Sequence, residues 1–227
     1  MVNFRTKPKR LLLTGNYRSG QKLKMSNSII KTAIRFLFVL TTRNRAKQQA
    51  QHMLSDYLKL ADGLTKEMGS QSIEVPPMQG VDEDMRKWSF YMILEHNEIV
   101  NRSISAIVEQ LARGEPLSGA ATIDPKKDVM PSPYAGEDQL LKFKDSVNYH
   151  LNLLDSLDNL RGTMTTPHMI FGDFDAHKWN CMFSFHLKLH YNQAKYVIQA
   201  VKAKKWTAEK IFVCNLLWTV KDINGWL

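Results

Sequence analysis

Four long segments of this sequence repeat apolar residues at steps of three and four, and this pattern constrains the fold more than any other feature. The segments cover about residues 28–68, 82–113, 137–160 and 175–203, and residues 206–222 have a further helical pattern with no evident packing partner. Apolar residues at this spacing lie on one face of an amphipathic α-helix. No stretch shows the apolar–polar alternation of a β-strand. The sequence therefore predicts an all-α fold.

The breaks between these segments predict how the helices are connected. Gly69 ends the first helix, which is expected to bend near Thr41. The connection between the second and third helices, residues 114–136, contains seven Gly and Pro residues. A connection of this length can cross a whole bundle and let the two helices run parallel, whereas short connections favour antiparallel neighbours. We therefore expect a four-helix bundle with a long crossover between helices two and three.

The start of the fourth helix carries two signals. Asp175 is a residue type that caps helix N-termini, because its carboxylate accepts a hydrogen bond from a free backbone N–H. Phe174 and Trp179 have the spacing of a hydrophobic staple, in which the residue before the cap packs on the fourth helical residue. Together these signals predict a helix that begins at Asp175.

The positive charge of the chain is concentrated at its N-terminal end. The formal net charge is +9, but residues 1–50 hold 12 Lys and Arg and no Asp or Glu, which leaves a net charge of −3 for residues 51–227. Such a basic segment suggests nucleic acid or an anionic membrane as partner. The segment has no recognition motif and no interleaved aromatic residues, however, so nucleic-acid binding ranks last among the functions considered.

Three parts of the chain are predicted from this distribution. Residues 1–24 are expected to form a basic, unstructured extension, residues 25–204 the helical bundle, and residues 205–227 a helical extension. An organelle transit peptide is an alternative for the first part, because such peptides are basic and poor in acids. Translation from Met25 is another.

The apolar runs and the cysteines bear on the compartment. The best candidate for a membrane span, Ile29 to Leu40, has 12 residues and contains Lys31 and Arg35, whereas a spanning helix needs about 20 apolar residues. The basic start lacks the apolar core of a secretory signal. Cys181 and Cys214 are the only cysteines and form no metal-binding or redox motif. We therefore expect free thiols, no membrane span and a cytoplasmic protein.

Two histidines in the fourth helix are the first candidates for chemistry. His186 and His190 are four residues apart, so both rings lie on one helix face and can reach one metal ion. Leu187 follows His186 in place of a glutamate, which excludes the HExxH metalloprotease motif. The spacing alone is weak evidence, because two polar residues on a solvated face would look the same.

A third histidine lies in the middle of the second helix. His96 is flanked by apolar Leu94 and Ile99. A single histidine in such surroundings is more often a buried core residue with its hydrogen bonds satisfied than a metal ligand. If the second and fourth helices bring His96 to His186 and His190, the three rings would form a metal site.

Two stretches resemble a known family. Trp88–Ile104, WSFYMILEHNEIVNRSI, resembles the second helix of the DinB-like metal-binding four-helix bundles, and His168–Gln193, HMIFGDFDAHKWNCMFSFHLKLHYNQ, is similar to the region around their fourth helix. The resemblance covers about residues 28–203. It departs from the family pattern at Met169, where proline is usual, and at Asp175, where threonine or serine is usual.

The resemblance implies both a site and a function. It places metal ligands at His96, His186 and His190, for a divalent ion such as zinc, nickel or iron. It also implies a metal-dependent S-transferase that uses a low-molecular-weight thiol, or a hydrolase of a small molecule. A homodimer is a further expectation, through an exposed apolar stripe on the first helix or on residues 206–222. Whether any reaction occurs stays open, and a non-catalytic helical interaction protein is the alternative.

The other polar residues of these helices are predicted to have ordinary roles. We expect Glu95 and Glu98 to be solvated or salt-bridged, and Asn97 and Asn101 to be exposed, with hydrogen bonding next to the metal ligands as the alternative for the two amides. His150 is expected in the core, with a position next to the metal ligands as the alternative. Asp173 is expected to be an ordinary loop carboxylate, with an acid/base role as the alternative, and His177 is expected to be exposed.

Overall fold

The computed structural model describes the backbone of residues 27–115 and 128–224, and it is mostly helical, which confirms the all-α prediction. Side chains are described from Ile29 to Trp206, apart from Ile30, Lys205 and the gap between 115 and 128. The helices are α1 (Asn27–Leu40), α2 (Arg43–Ala61), α3 (Lys66–Ser70), α4 (Phe90–Ala112), α5 (Asp138–Ser156) and α6 (Ala176–Asn224), with a 3-10 turn at Glu83–Met85.

A small β-hairpin precedes α6. Its strands, β1 (Thr166–His168) and β2 (Gly172–Phe174), are antiparallel, and His168 is paired with Gly172. The backbone turns at Gly172, whose φ of 75° is accessible to glycine at little cost. The sequence analysis predicted no strand, and strands of three residues are too short for an alternating pattern to be visible.

The first predicted helix is three helices, because two threonines interrupt it. The Thr42 side chain accepts a hydrogen bond from Arg45 N and starts α2, and the Thr65 side chain does the same for Met68 N at the start of α3. Gly63, with a φ of 66°, lies in the turn between them. The bend expected near Thr41 is therefore a complete break, because a side-chain cap starts a new helix.

Of the later helices, α4 begins after the residue that the sequence pattern predicts, whereas α6 begins as predicted. The helix expected from about residue 82 begins at Phe90, where the Ser89 hydroxyl accepts from Met92 N. At the start of α6, Asp175 accepts from Lys178 N at 2.9 Å, and the rings of Phe174 and Trp179 are 5.6 Å apart, so both predicted signals are confirmed. The backbone of α6 continues through residue 204 to Asn224.

Four long helices pack side by side, and each contacts two neighbours in the order α2, α6, α4, α5 and back to α2. In the contacts between α4 and α5, residues further along α4 meet residues further along α5. Asn101 donates to Ser146 Oγ at 3.0 Å, and Ser105 Oγ lies 2.9 Å from His150 Nδ1. The helices on either side of the long connection therefore run in the same direction.

The other three neighbouring pairs have directions that follow from their contacts in the same way. Helices α2 and α6 run in the same direction, whereas α4 is antiparallel to α6 and α2 is antiparallel to α5. The contacts are Gln49–Ser184 and Tyr57–Tyr191 for the first pair, and Lys47–Asp155 and Tyr57–Phe143 for the third. For the second pair they are His96–His186 and the contact of Trp88, two residues before α4, with His190.

Helix α1 packs against the beginning of α6 through one side only. The Phe38 ring lies 5.8 Å from Phe174 and 5.7 Å from Phe185, measured between centroids. On the other side of α1, large apolar side chains including Phe36 and Leu40 are exposed. Part of the apolar surface of α1 is therefore left without a partner among the described residues.

Several predictions concern residues that the structure does not describe. Residues 1–26, with the expected basic extension and Met25, and residues 116–127 of the long connection lie outside the described residues, as do the side chains of 207–227, Cys214 among them. In the described part of the chain, no helix combines the length and the hydropathy that crossing a bilayer requires.

The contact between α3 and α4 generates a test of the packing. An added methyl group at Gly69 would overlap the buried ring of Tyr91, whereas one at Gly162 meets no atom within 4 Å. We expect Gly69→Ala to lower the free energy of unfolding by about 1–3 kcal/mol through overpacking. Gly162→Ala is the control and should change it by less than about 0.5 kcal/mol. Urea unfolding measures both, and equal stabilities would contradict the packing described.

Candidate metal centre

Three histidines from two helices come together where α4 crosses α6. The Nε2 atoms of His96 and His186 are 3.2 Å apart. The His190 ring centroid lies 4.5 Å from that of His96 and 4.6 Å from that of His186. One ligating nitrogen from each ring lies within 4.8 Å of the other two. The structure thus brings together the three histidines that the sequence predicted, in an arrangement that could hold a metal ion.

The loop before α5 orients His96. Its Nδ1 lies 2.7 Å from the carbonyl oxygen of Val129, and because a carbonyl only accepts, Nδ1 carries the proton. A neutral ring then has a bare lone pair on Nε2, directed at His186. The Glu95 carboxylate accepts from Ser132 N at 2.7 Å and so holds this loop against α4. Glu95 therefore anchors the carbonyl that orients the neighbouring histidine.

A glutamine one turn later orients His190. Gln193 Nε2 donates to the carbonyl oxygen of Met85 at 2.7 Å, which fixes the orientation of the amide. Gln193 Oε1 therefore faces His190 Nδ1, at 2.9 Å, and Nδ1 must be the donor. His190 Nε2 is left with its lone pair free. Metal-binding histidines commonly donate their second N–H to a carbonyl in this way.

His186 differs from the other two rings. Its side chain is partly exposed, and its Nε2 faces His96, but its buried Nδ1 has no hydrogen-bond partner among the described residues. A buried ring nitrogen without a partner costs free energy. A ligand bound at the cluster, or a water molecule, would remove this cost.

Burial keeps all three rings uncharged at neutral pH. Loss of hydration lowers the pKa of His96 below its usual value of 6.5 and lowers the pKa of His190 to about 3. For His186, burial and then the neighbouring imidazoles lower the pKa well below its usual value. Metal binding requires neutral imidazole, so the cluster does not have to lose protons first.

The geometry and the donor set fit a divalent transition metal. Zinc–nitrogen distances of about 2.0–2.1 Å in a tetrahedral site place two ligand nitrogens about 3.3 Å apart. The distance of 3.2 Å between the Nε2 atoms of His96 and His186 matches that value. Imidazole ligands suit zinc, nickel and iron, whereas calcium and magnesium prefer oxygen.

Aromatic residues enclose the cluster. The Trp88 ring lies 5.0 Å from that of His96 and 6.3 Å from that of His190, nearly parallel to the latter. His168, on the β-hairpin, lies close enough to contribute to the lowered pKa of His186, and burial lowers its own pKa to about 4. Its Nδ1 accepts from Ile170 N, so Nε2 carries the proton.

Two predictions for α4 and one for α6 are wrong. Asn97 and Asn101 were expected to be exposed but are buried, where Asn97 donates to Tyr57 Oη at 3.2 Å. His177 was also expected to be exposed and is buried, with Nε2 3.1 Å from Phe38 O. In each case the polar partner comes from another helix, which local sequence does not reveal.

The predictions for Glu98 and His150 agree with the structure, whereas Glu95, which was expected to be solvated or salt-bridged, accepts hydrogen bonds from Ser132 N and Gln139 instead. Glu98 pairs with Arg102 on the surface of α4, and Asp173 is exposed on β2. His150 is fully buried in the core, stacked on Phe183 at a centroid distance of 3.7 Å. These residues do not belong to the histidine cluster.

Sequence reasoning missed the groups that orient the histidines. The contact of Gln193 with His190 could have been predicted, because residues three apart on a helix are neighbours and an amide oxygen can accept a hydrogen bond from a histidine. The contact of Val129 could not, since it contributes only its backbone carbonyl from a loop 33 residues away from His96.

Comparisons with known proteins add nothing to this assignment. No family model, no curated protein and no solved structure matches the chain.

The burial of His150 predicts a pH-dependent stability. Its pKa is lowered to about 4 in the folded protein, chiefly by burial, against 6.5 when unfolded. Between these values the unfolded chain binds the extra proton, so stability falls as the pH falls. Between about pH 7 and pH 5, the free energy of unfolding of His150→Gln should therefore fall by about 2 kcal/mol less than that of the wild type.

Urea unfolding at both pH values measures this loss. The exposed His52 serves as control, and His52→Gln should lose as much stability on acidification as the wild type. An unchanged loss in His150→Gln would show that this ring is protonated in the folded state.

Proposed function

We propose that this protein binds one divalent transition-metal ion through His96, His186 and His190. The observation that carries the proposal is the orientation of the rings. His96 and His190 each donate Nδ1–H to a carbonyl oxygen, so that their Nε2 lone pairs are free within one cluster. A core histidine would need a partner for its second nitrogen as well, whereas here the second nitrogens of neutral rings converge, as they would around a shared cation.

We further propose that the fold is a four-helix bundle of the DinB-like type, with the long connection as its crossover. Support comes from the parallel directions of α4 and α5, on either side of that connection, and from the antiparallel contact of α4 with α6 that carries the histidines. The residue patterns around Trp88–Ile104 and His168–Gln193 are consistent with this family.

The proposed chemistry is a metal-dependent S-transfer or hydrolysis of a small molecule in the cytoplasm. Three protein ligands leave a coordination position for water or substrate, and a divalent ion there supplies a thiolate or hydroxide at neutral pH. The chain's own contribution is to orient the imidazoles, with Trp88 packed over His96 and His190. Of the three rings, His186 is the one that is partly exposed, and we propose that a small thiol approaches from its side.

Metal content and thermal stability test the metal proposal. Purified protein should contain about one divalent ion per chain, and Zn²⁺ or Ni²⁺ added to the metal-free protein at a hundredfold excess over Kd should stabilise it by about 2.7 kcal/mol. In a chain of this size that raises Tm by about 5 °C or more. His186→Ala should abolish both effects, since it removes one of three ligands.

The exposed His52 provides the matched control. His52→Ala should retain the metal and the rise in Tm, because this side chain lies on α2 outside the cluster. Stoichiometric metal in His186→Ala, measured by elemental analysis, would contradict the assignment of the site.

The role of Gln193 gives a second test. Gln193→Leu removes the acceptor of the His190 N–H and should weaken metal binding about 10–100-fold, as loss of such a partner does elsewhere. Gln193→Glu keeps an acceptor for His190 but loses the bond to Met85 O, and should bind the metal nearly as well as the wild type. Competition titration with a chelator measures both affinities, and equal weakening would indicate general damage to α6.

A second function is favoured by the exposed face of α1. Ile29, Phe36, Val39 and Leu40 are each 46–63% exposed, which is unusual for apolar side chains clustered on one helix. An interaction protein that forms a homodimer through α1, without catalysis, would use this face. A metal-free protein whose Tm is unchanged by Zn²⁺ and Ni²⁺ would favour this function over the metal-dependent one.

A further inference from the structure

A second candidate binding site is a cleft between α1, α2 and α6. Its volume is about 550 Å³, within the range of about 300–1,000 Å³ that small-molecule sites occupy. None of its lining residues is one of the three clustered histidines. On α6 it uses Phe185 and Lys188, which point away from His186 because successive helical residues are rotated by about 100°.

The floor of the cleft is apolar. Phe38 and Met53 are buried there, and Phe185 packs edge-on against Phe38. The Cys181 thiol also faces the cleft, and burial raises its pKa to about 12, so it is a neutral sulfur and not a reactive thiolate. This floor suits a hydrocarbon chain or ring.

The rim of the cleft is cationic and free of acids. Arg45 and Lys188 line it together with His52, and no Asp or Glu is among the lining residues. Within the described residues, the Arg45 guanidinium has no hydrogen-bond or ion-pair partner, and Lys188 makes only a cation–π contact with the Tyr191 ring, at 5.2 Å. Two cations without counter-charges at the mouth of an apolar cleft are complementary to an anion with an apolar body.

We propose that this cleft binds a small organic carboxylate with an apolar body. The apolar body lies against Phe38, Met53 and Phe185, and the carboxylate is bound by Arg45 and Lys188. The arginine fork can bind the two carboxylate oxygens together, which favours a carboxylate over a neutral ligand of the same shape.

Two other occupants fit the rim less well. Residues 1–26 carry seven Lys and Arg and no acid, so the same charge would repel this segment from the rim. A second copy of the chain could cover Leu37 and the exposed side of α1, but it would have to place a carboxylate at Arg45. Ligand titration and sedimentation distinguish these two occupants from a bound carboxylate.

Isothermal titration of the full chain with three probes of equal length tests the proposal. The probes are octanoate, 1-octanol and octylammonium, which differ in head-group charge. Octanoate should bind at least about tenfold more tightly than 1-octanol, and octylammonium most weakly, because a charge-assisted hydrogen bond contributes about this much. The preference for octanoate should weaken as salt is raised, since the rim is exposed.

Single variants locate the bound carboxylate. Arg45→Gln and Lys188→Gln should each weaken octanoate binding about fivefold or more and leave 1-octanol binding unchanged. Lys202→Gln is the matched control, because Lys202 is an exposed lysine on α6 outside the cleft, and it should have no effect.

Three results would overturn the proposal. Equal affinity for the three probes would show a non-selective apolar surface, and unchanged octanoate binding in both rim variants would place the carboxylate elsewhere. Sedimentation that shows a dimer unable to bind octanoate would assign the cleft to a second copy of the chain. Because metal-free protein suffices for every titration, failure here leaves the metal proposal untouched, and the reverse also holds.

Discussion

A row of buried polar side chains on the inner face of α4 ties this helix to two of its neighbours. Asn97, Asn101 and Ser105 recur every fourth residue on this face and are fully buried. Each would cost free energy if left without a hydrogen bond. Their partners are Tyr57 on α2, and Ser146 and His150 on α5, so this row fixes the register of α4 against both helices. The side-chain oxygens of Asn97 and Asn101 have no hydrogen-bond partner among the described residues.

The histidine cluster lies next to this row, in the N-terminal half of α4, and its hydrogen bonds are only partly satisfied. His96 lies one residue before Asn97 and points towards α6, where its N–H is satisfied by Val129 O and its lone pair by nothing but the neighbouring ring. Burial lowers the pKa of His96 and so disfavours its protonated form. Neutral rings with converging nitrogens, and the His186 Nδ1 that has no partner in the described part of the chain, are consistent with the proposed metal site.

The sequence predicted the helices, and it predicted that two of the three clustered histidines lie next to each other. Both predictions depend only on the spacing of residues within one helix. His186 and His190 share a face on any helix, whereas the arrival of His96 depends on how α4 crosses α6. The helix breaks at Thr42 and Thr65 had visible capping residues, but the apolar pattern ran across both. The burial of Asn97 and His177 depends on Tyr57 and Phe38, residues 40 and 139 positions away, and no local pattern encodes such contacts.

Helix α6 separates the two proposed sites by its own geometry. His186 and His190 are one turn apart on the face towards α4, while Phe185 and Lys188 are rotated from His186 by about 100° and 200° and face α1 and α2. Each site therefore has its own charge environment: neutral imidazoles, buried or half-buried, on one side and exposed cations on the other. A ligand in the cleft could influence the cluster only by moving α6 as a body, and the buried Tyr57 hydroxyl, which donates to Leu187 O at 3.1 Å between the two faces, opposes that movement.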